Sequence, residues 1–170
     1  MKAVLPTITA ISLLAVAAPA AAQAQTPTVT EDGVISAIMP CEEPTDATNN
    51  TAFLEGWLCM EENAAFIVIV STGPEAATHN PFTSNFDALV EDVSTSHDTG
   101  FVEETEVEGR RTVTAYMGDD GVNGRMRAIQ IAPDRVAYAI VMSNPAASGR
   151  ELSSTSERGV AFVQSLEVNQ

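Results

Sequence analysis

AAFIVIV, residues 64–70, is the most apolar run in the chain beyond its first two dozen residues. It is short, rich in β-branched side chains and bounded by polar turns, which predicts a central strand buried on both faces. Upstream, Leu54 to Met60 predicts a partner strand. It carries Trp57 and Cys59, which sit two apart and therefore share a face. Residues 42–50 (EEPTDATNN) are polar and predict a loop, and Val34 to Met39 predicts a further strand stopped by Pro40.

Downstream the period changes. Phe86, Leu89, Val90 and Val93 fall on one face of a helix, with Ser84 as the expected cap and Asp87 in capping-box position. A β-meander is expected next. Phe101 to Val107 and Arg111 to Met117 are interrupted near Gly109. Residues 118–124 (GDDGVNG) form a hairpin loop, Arg125 to Ile131 a strand, residues 132–135 (APDR) a tight turn, and Val136 to Met142 the return strand. In that last strand Tyr138, Ile140 and Met142 share one face, and Ala137, Ala139 and Val141 the other. Small residues on one side predict close packing of a helix there. The final helix is expected to start near Ser154, with Glu157 three residues on and Val160, Phe162 and Val163 on its apolar side. Leu166 to Val168 predicts a short closing strand.

The first residues have a different character. Met1-Lys2 precedes an apolar run from Val4 to Ala18, then Pro19 and the small-x-small triplet Ala22-Gln23-Ala24. This pattern predicts a secretory signal peptide over 1–24. A loose leader over 25–32 and a single α+β domain over 33–170 are expected to follow. No cysteine lies at the cleavage region, so no lipid anchor is expected there, and the expected location is the periplasm or the medium. Lys2 is the only lysine. Beyond residue 24 seven arginines face twenty-three carboxylates, a net charge of about −16. Such a charge repels phosphate backbones and anionic headgroups, which argues against nucleic-acid and membrane-surface roles. It suits a protein partner with a basic surface, or solubility alone. Cys41 and Cys59 are an even pair in an oxidising compartment and predict a disulfide.

Met39-Pro40-Cys41, the meander from Arg111 to Met142 and the tail Phe162-Val163-Gln164-Ser165-Leu166 together give an order that resembles the exported bacterial relatives of the PsbP/Mog-type α/β/α sandwich. The resemblance spans about residues 33 to 168. It implies a twisted, mostly antiparallel sheet with helices packed on both faces, and an accessory role toward larger assemblies. It transfers no functional residue.

Candidate chemistry is sparse. Ser94, Thr95, Ser96, His97 and Asp98 hold the residue types of a hydrolase without a nucleophile elbow. His79 and His97 lack metal-ligand spacing. Asp119, Asp120 and Asn123 carry hard oxygen donors without the twelve-residue calcium pattern. Glu104, Glu106 and Glu108 would share one face of an alternating strand, either as a charged edge or as a docking surface for a basic partner. No motif calls for a cofactor. The sequence therefore predicts an exported non-enzymatic accessory or binding protein. An extracytoplasmic hydrolase and a small-ligand or divalent-metal binding protein are the alternatives.

Overall fold

A computed structural model describes residues 27–47, 54–62, 64–73, 82–95, 99–119, 122–143 and 156–169. The elements in chain order are β1 (Thr28–Val29), β2 (Ile35–Ala37), β3 (Thr45–Asp46), β4 (Leu54–Glu61), β5 (Ala64–Thr72), α1 (Phe86–Thr95), β6 (Thr99–Val107), β7 (Arg110–Asp119), β8 (Val122–Ala132), β9 (Arg135–Ser143), α2 (Glu157–Gln164) and β10 (Glu167–Val168). Seven strands form a twisted antiparallel sheet in the order β3-β4-β5-β9-β8-β7-β6. A small sheet, β1-β2-β10, accompanies it.

AAFIVIV lies in β5, hydrogen-bonded between β4 and β9, with Phe66, Val68 and Val70 almost fully buried. Its two faces feed two cores. On one, Ile69 joins Val113, Ala115, Met126, Ala128, Tyr138 and Ile140 beneath Phe86, Leu89 and Val93 of α1. On the other, Phe66, Val68 and Val70 join Ala137, Ala139 and Val141 beneath Phe162 and Val163 of α2. The alanines admit α2 closely, as the alternation in β9 predicts. Ile35, Ala37, Met39, Leu166 and Val168 extend this second core along the small sheet.

The termini of the helices are satisfied by side chains one or two residues from the expected caps. Asn85, not Ser84, caps α1: its Oδ1 accepts from the Asp87 and Ala88 amides. Ser84 is instead buried and donates its hydroxyl to the Gly73 carbonyl. Both residues are good caps by type, and the buried bond to Gly73 takes Ser84 out of competition. Ser156 caps α2, accepting from the Gly159 amide at 3.0 Å, whereas Ser154 lies outside the described residues.

Three segments expected to lack regular structure pair with strands. Thr28–Val29, within the expected leader, pair with β2. Thr45–Asp46, within the expected loop, pair with Leu58 and Trp57. Asp119 and Asn123, within the expected hairpin loop, belong to the β7–β8 ladder. In each case backbone groups find partners that local composition does not reveal.

Cys41 and Cys59 form a disulfide, with Cα atoms 6.0 Å apart. It ties the segment after β2 to β4 beside the α2-side core. Close by, Arg158 of α2 forks onto both carboxylate oxygens of Glu61 at 2.6 and 3.1 Å, donates to the Pro40 carbonyl and lies over the Phe66 ring. At the other end, Asp32 accepts from Thr30 Oγ1 and the Val34 amide and pairs with Arg135 at 2.6 Å. Led by the Thr30 hydrogen bond, these contacts hold its carboxyl down at about 2. No helix among the described residues is long and apolar enough to cross a membrane.

Candidate functional site

The large sheet is wider than its cover on the α2 side. Seven strands at about 4.8 Å spacing span about 29 Å, whereas an eight-residue helix is about 12 Å long. Helix α2 packs on β8 and β9, and the small sheet continues the same core toward β4. Among the described residues no helix packs in this way on the corresponding faces of β6 and β7, although Thr112 of β7 is buried there. Their sequence is polar to match. In β7 the alternation puts Val113 and Ala115 under α1, and Thr112, Thr114 and Tyr116 on the opposite face.

A groove of about 480 Å³ follows from this geometry, with α2 as one wall and the three strands as its floor. Val163 and Gln164 form the helix wall. The floor is built in cross-strand rows. Glu103 of β6 pairs with Thr114 of β7, which pairs with Arg127 of β8. One row away, Tyr116 pairs with Arg125, and on the other side Thr105 pairs with Thr112. All seven of these side chains line the groove.

The two arginines are held differently. Arg127 donates to the Gln164 carbonyl at 2.9 Å and to the Leu166 carbonyl at 3.4 Å. It thus places a cation at the carbonyl-rich end of α2, where the helix dipole favours one. Partial burial lowers its pKa, with Glu167 opposing that shift. Arg125 is half-buried, and its side chain makes no hydrogen bond or ion pair among the described residues. Glu103 is exposed on the opposite side of the floor and does not pair with either arginine.

The residues singled out in the sequence are dispersed. Glu104 and Glu106 lie on the α1 side of β6, opposite Val113 and Arg111. Glu104 is engaged: Arg111 bonds it at 2.8 Å and Asp87 at 2.6 Å, and stacks its guanidinium over Phe86. These hydrogen bonds, Asp87 first, raise the Arg111 pKa. Glu108 is not on the strand with the other two. It enters a two-residue turn with Gly109, both at positive φ (53° and 76°). A glycine takes such a conformation freely, and the pair at positive φ suits the twist of a tight hairpin.

His79, His97, Asp98 and Asp120 lie outside the described residues, as does the segment 1–24 expected to be a signal peptide. Ser94 and Thr95 fall in the exposed last turn of α1, where Thr95 donates back to the Glu91 carbonyl. Among the described residues no three His, Cys, Asp or Glu side chains converge as a metal site.

The groove residues were not singled out from sequence, although a signal for them exists. Thr112-x-Thr114-x-Tyr116 and Arg125-x-Arg127 are polar at period two inside segments that predict strands of a covered sheet. A polar face in that setting marks an uncovered area of sheet. The chain matches no protein-family model and none of the curated proteins.

Proposed function

We propose that this is an exported, non-enzymatic binding protein whose working site is the groove beside α2. The observation that carries the reading is convergence: hydroxyl, guanidinium and carboxylate side chains from three adjacent strands face one concavity of about 480 Å³. That volume lies within the range of small-molecule sites, and a few placed polar groups are what fixes a ligand's orientation in such sites. Export is supported by the signal-peptide pattern over 1–24 and by the disulfide, a linkage typical of oxidising compartments. Kinship with the PsbP/Mog-type accessory proteins is supported by the order of elements and by one helix on each face of an antiparallel sheet.

A second reading concerns the outer edge. β6 is the last strand of the large sheet and carries exposed Glu103, Glu104 and Glu106, with Glu108 in the adjoining turn. A basic extended segment of a partner protein could add there as a further strand, guided by charge. Among the described residues the groove lining holds no serine, and both histidines on which the hydrolase alternative depends lie outside them.

The test is a nuclear magnetic resonance screen of the purified protein against amino acids, short peptides, hydroxy acids and neutral sugars. Ligand binding should shift backbone amides of residues 103–105, 112–116 and 125–127 together. If no compound class moves these amides, the groove is not a ligand site.

A further inference from the structure

Opposite charges face the same groove and do not meet. Arg125 and Arg127 rise from β8, Glu103 rises from β6, and β7 lies between them. Two ladder spacings separate β6 from β8, and Arg125 lies one row along from the Arg127 that faces Glu103, so the backbones of Glu103 and Arg125 are about 12 Å apart. The strip between is paved by the half-buried Thr114 and Tyr116, with Thr112 buried at one end. Among the described residues no ion pair joins Glu103 to either arginine, and the Arg125 guanidinium has no hydrogen-bonding partner. The floor is therefore dipolar: cationic beside α2, hydroxyl-lined in the middle, anionic at the rim.

We propose that the groove seats a short zwitterionic peptide of two or three residues across β7, with its carboxylate on Arg125 and its ammonium group toward Glu103. This deepens the ligand-site reading above and rests on it. An extended residue spans about 3.5 Å, so two or three residues bridge the interval once the side chains of Arg125 and Glu103 lean inward. A guanidinium presents paired donors that match a carboxylate. Arg127 adds a second positive charge, although its Nη1 is committed to the end of α2. The Thr114 and Tyr116 hydroxyls can both donate to and accept from peptide groups lying over them. Net charge favours a zwitterion over a simple anion. The chain carries −15 overall and repels anions at long range, whereas a ligand with no net charge approaches freely and still satisfies both poles.

The experiment is a calorimetric titration with three probes: L-alanyl-L-alanine, its C-terminal amide and its N-acetyl derivative. Wild type, Arg125→Gln and Glu103→Gln are compared, with amide shifts followed in parallel. The dipeptide should bind, and removing either terminal charge should weaken it about tenfold or more, as expected for a hydrogen bond to a charged group. Arg125→Gln should weaken the dipeptide by a similar factor but leave the affinity of the amide unchanged, because the amide lacks the group Arg125 holds. Glu103→Gln should do the same for the N-acetyl probe. Both variants change side chains that make no ion pair among the described residues, so the fold should survive, which thermal melting checks. Binding of the amide as tightly as the acid, with shifts still in the groove, would overturn the zwitterion proposal and leave the groove standing as a site for other ligands. Absence of groove shifts with any compound of the wider screen would overturn both.

Discussion

Phe162 of α2 stands edge-on against Phe66 of β5, with ring centroids 5.3 Å apart and planes at 89°. Both rings are almost fully buried, and Arg158 covers the Phe66 ring from the solvent side at 5.4 Å. This contact fixes α2 on the alanine face of β9, and so fixes one wall of the groove. Phe162→Ala should destabilise the protein by about 3–5 kcal/mol, the usual cost of emptying a buried aromatic site. Phe162→Leu should cost clearly less. Urea denaturation of the two variants checks the order. Equal, small effects would mean that α2 is not anchored through this ring.

The disulfide bears on the same core from the other side. Cys41 and Cys59 are 18 residues apart in sequence, and closing a loop of that size contributes about 3 kcal/mol through the unfolded chain. Thiol titration of the unfolded, unreduced protein should find no free cysteine. Reduction should lower the urea midpoint without abolishing the sheet, whose central strands do not depend on the linkage.

Gly56 makes a prediction of a different kind. It sits in β4 opposite Ile69, and a Cβ there would lie 2.5 Å from the Val68 carbonyl oxygen. That oxygen is backbone inside the central ladder and cannot swing away. Gly56→Ala should therefore destabilise by about 1–3 kcal/mol through overpacking, although alanine is harmless in most strands. A melting temperature equal to wild type would show that the β4–β5 pair opens more easily than its register suggests.

Acid should loosen the N-terminal hairpin. Asp32 titrates at about 2 in the folded protein against 3.8 unfolded, because Thr30, the Val34 amide and Arg135 favour its charged form. The unfolded chain takes up this proton first as pH falls. The stabilising contribution is therefore full above 3.8 and is lost progressively toward about 2. Other carboxylates titrate in the same range, so the difference between wild type and Asp32→Asn isolates this one. That difference in stability should shrink as pH falls through the window. A constant difference would place the Asp32 effect outside its charge.

The framework of this fold is legible in the sequence wherever a pattern is local. AAFIVIV announces a doubly buried strand, Phe86/Leu89/Val90/Val93 announces a helix, and the Ala137/Ala139 face announces where the other helix packs. Pairings at long range are not legible in that way. Val168 meets Ile35 across almost the whole chain, and a two-residue strand such as β10 has no periodicity of its own. The choice between Ser84 and Asn85 as a cap turned on a tertiary bond to Gly73 that no local rule contains. The groove was hidden for a related reason. Thr114, Arg125 and Arg127 look like any solvated strand face until the strand order places them beside α2, where an exposed face becomes the floor of a concavity.

The measurement that bears most directly on the groove as the working site is ligand titration of a variant in which it is filled. Thr114 lies at the centre of the floor, half-buried, on a strand that tolerates aromatic residues. Thr114→Trp should occupy the space between Glu103 and Arg127 while leaving the cores on both faces of the sheet intact. Calorimetric titration with L-alanyl-L-alanine should give measurable binding to the wild type and none to the folded variant. Binding of equal affinity to both would contradict the account, because the ligand would then sit elsewhere.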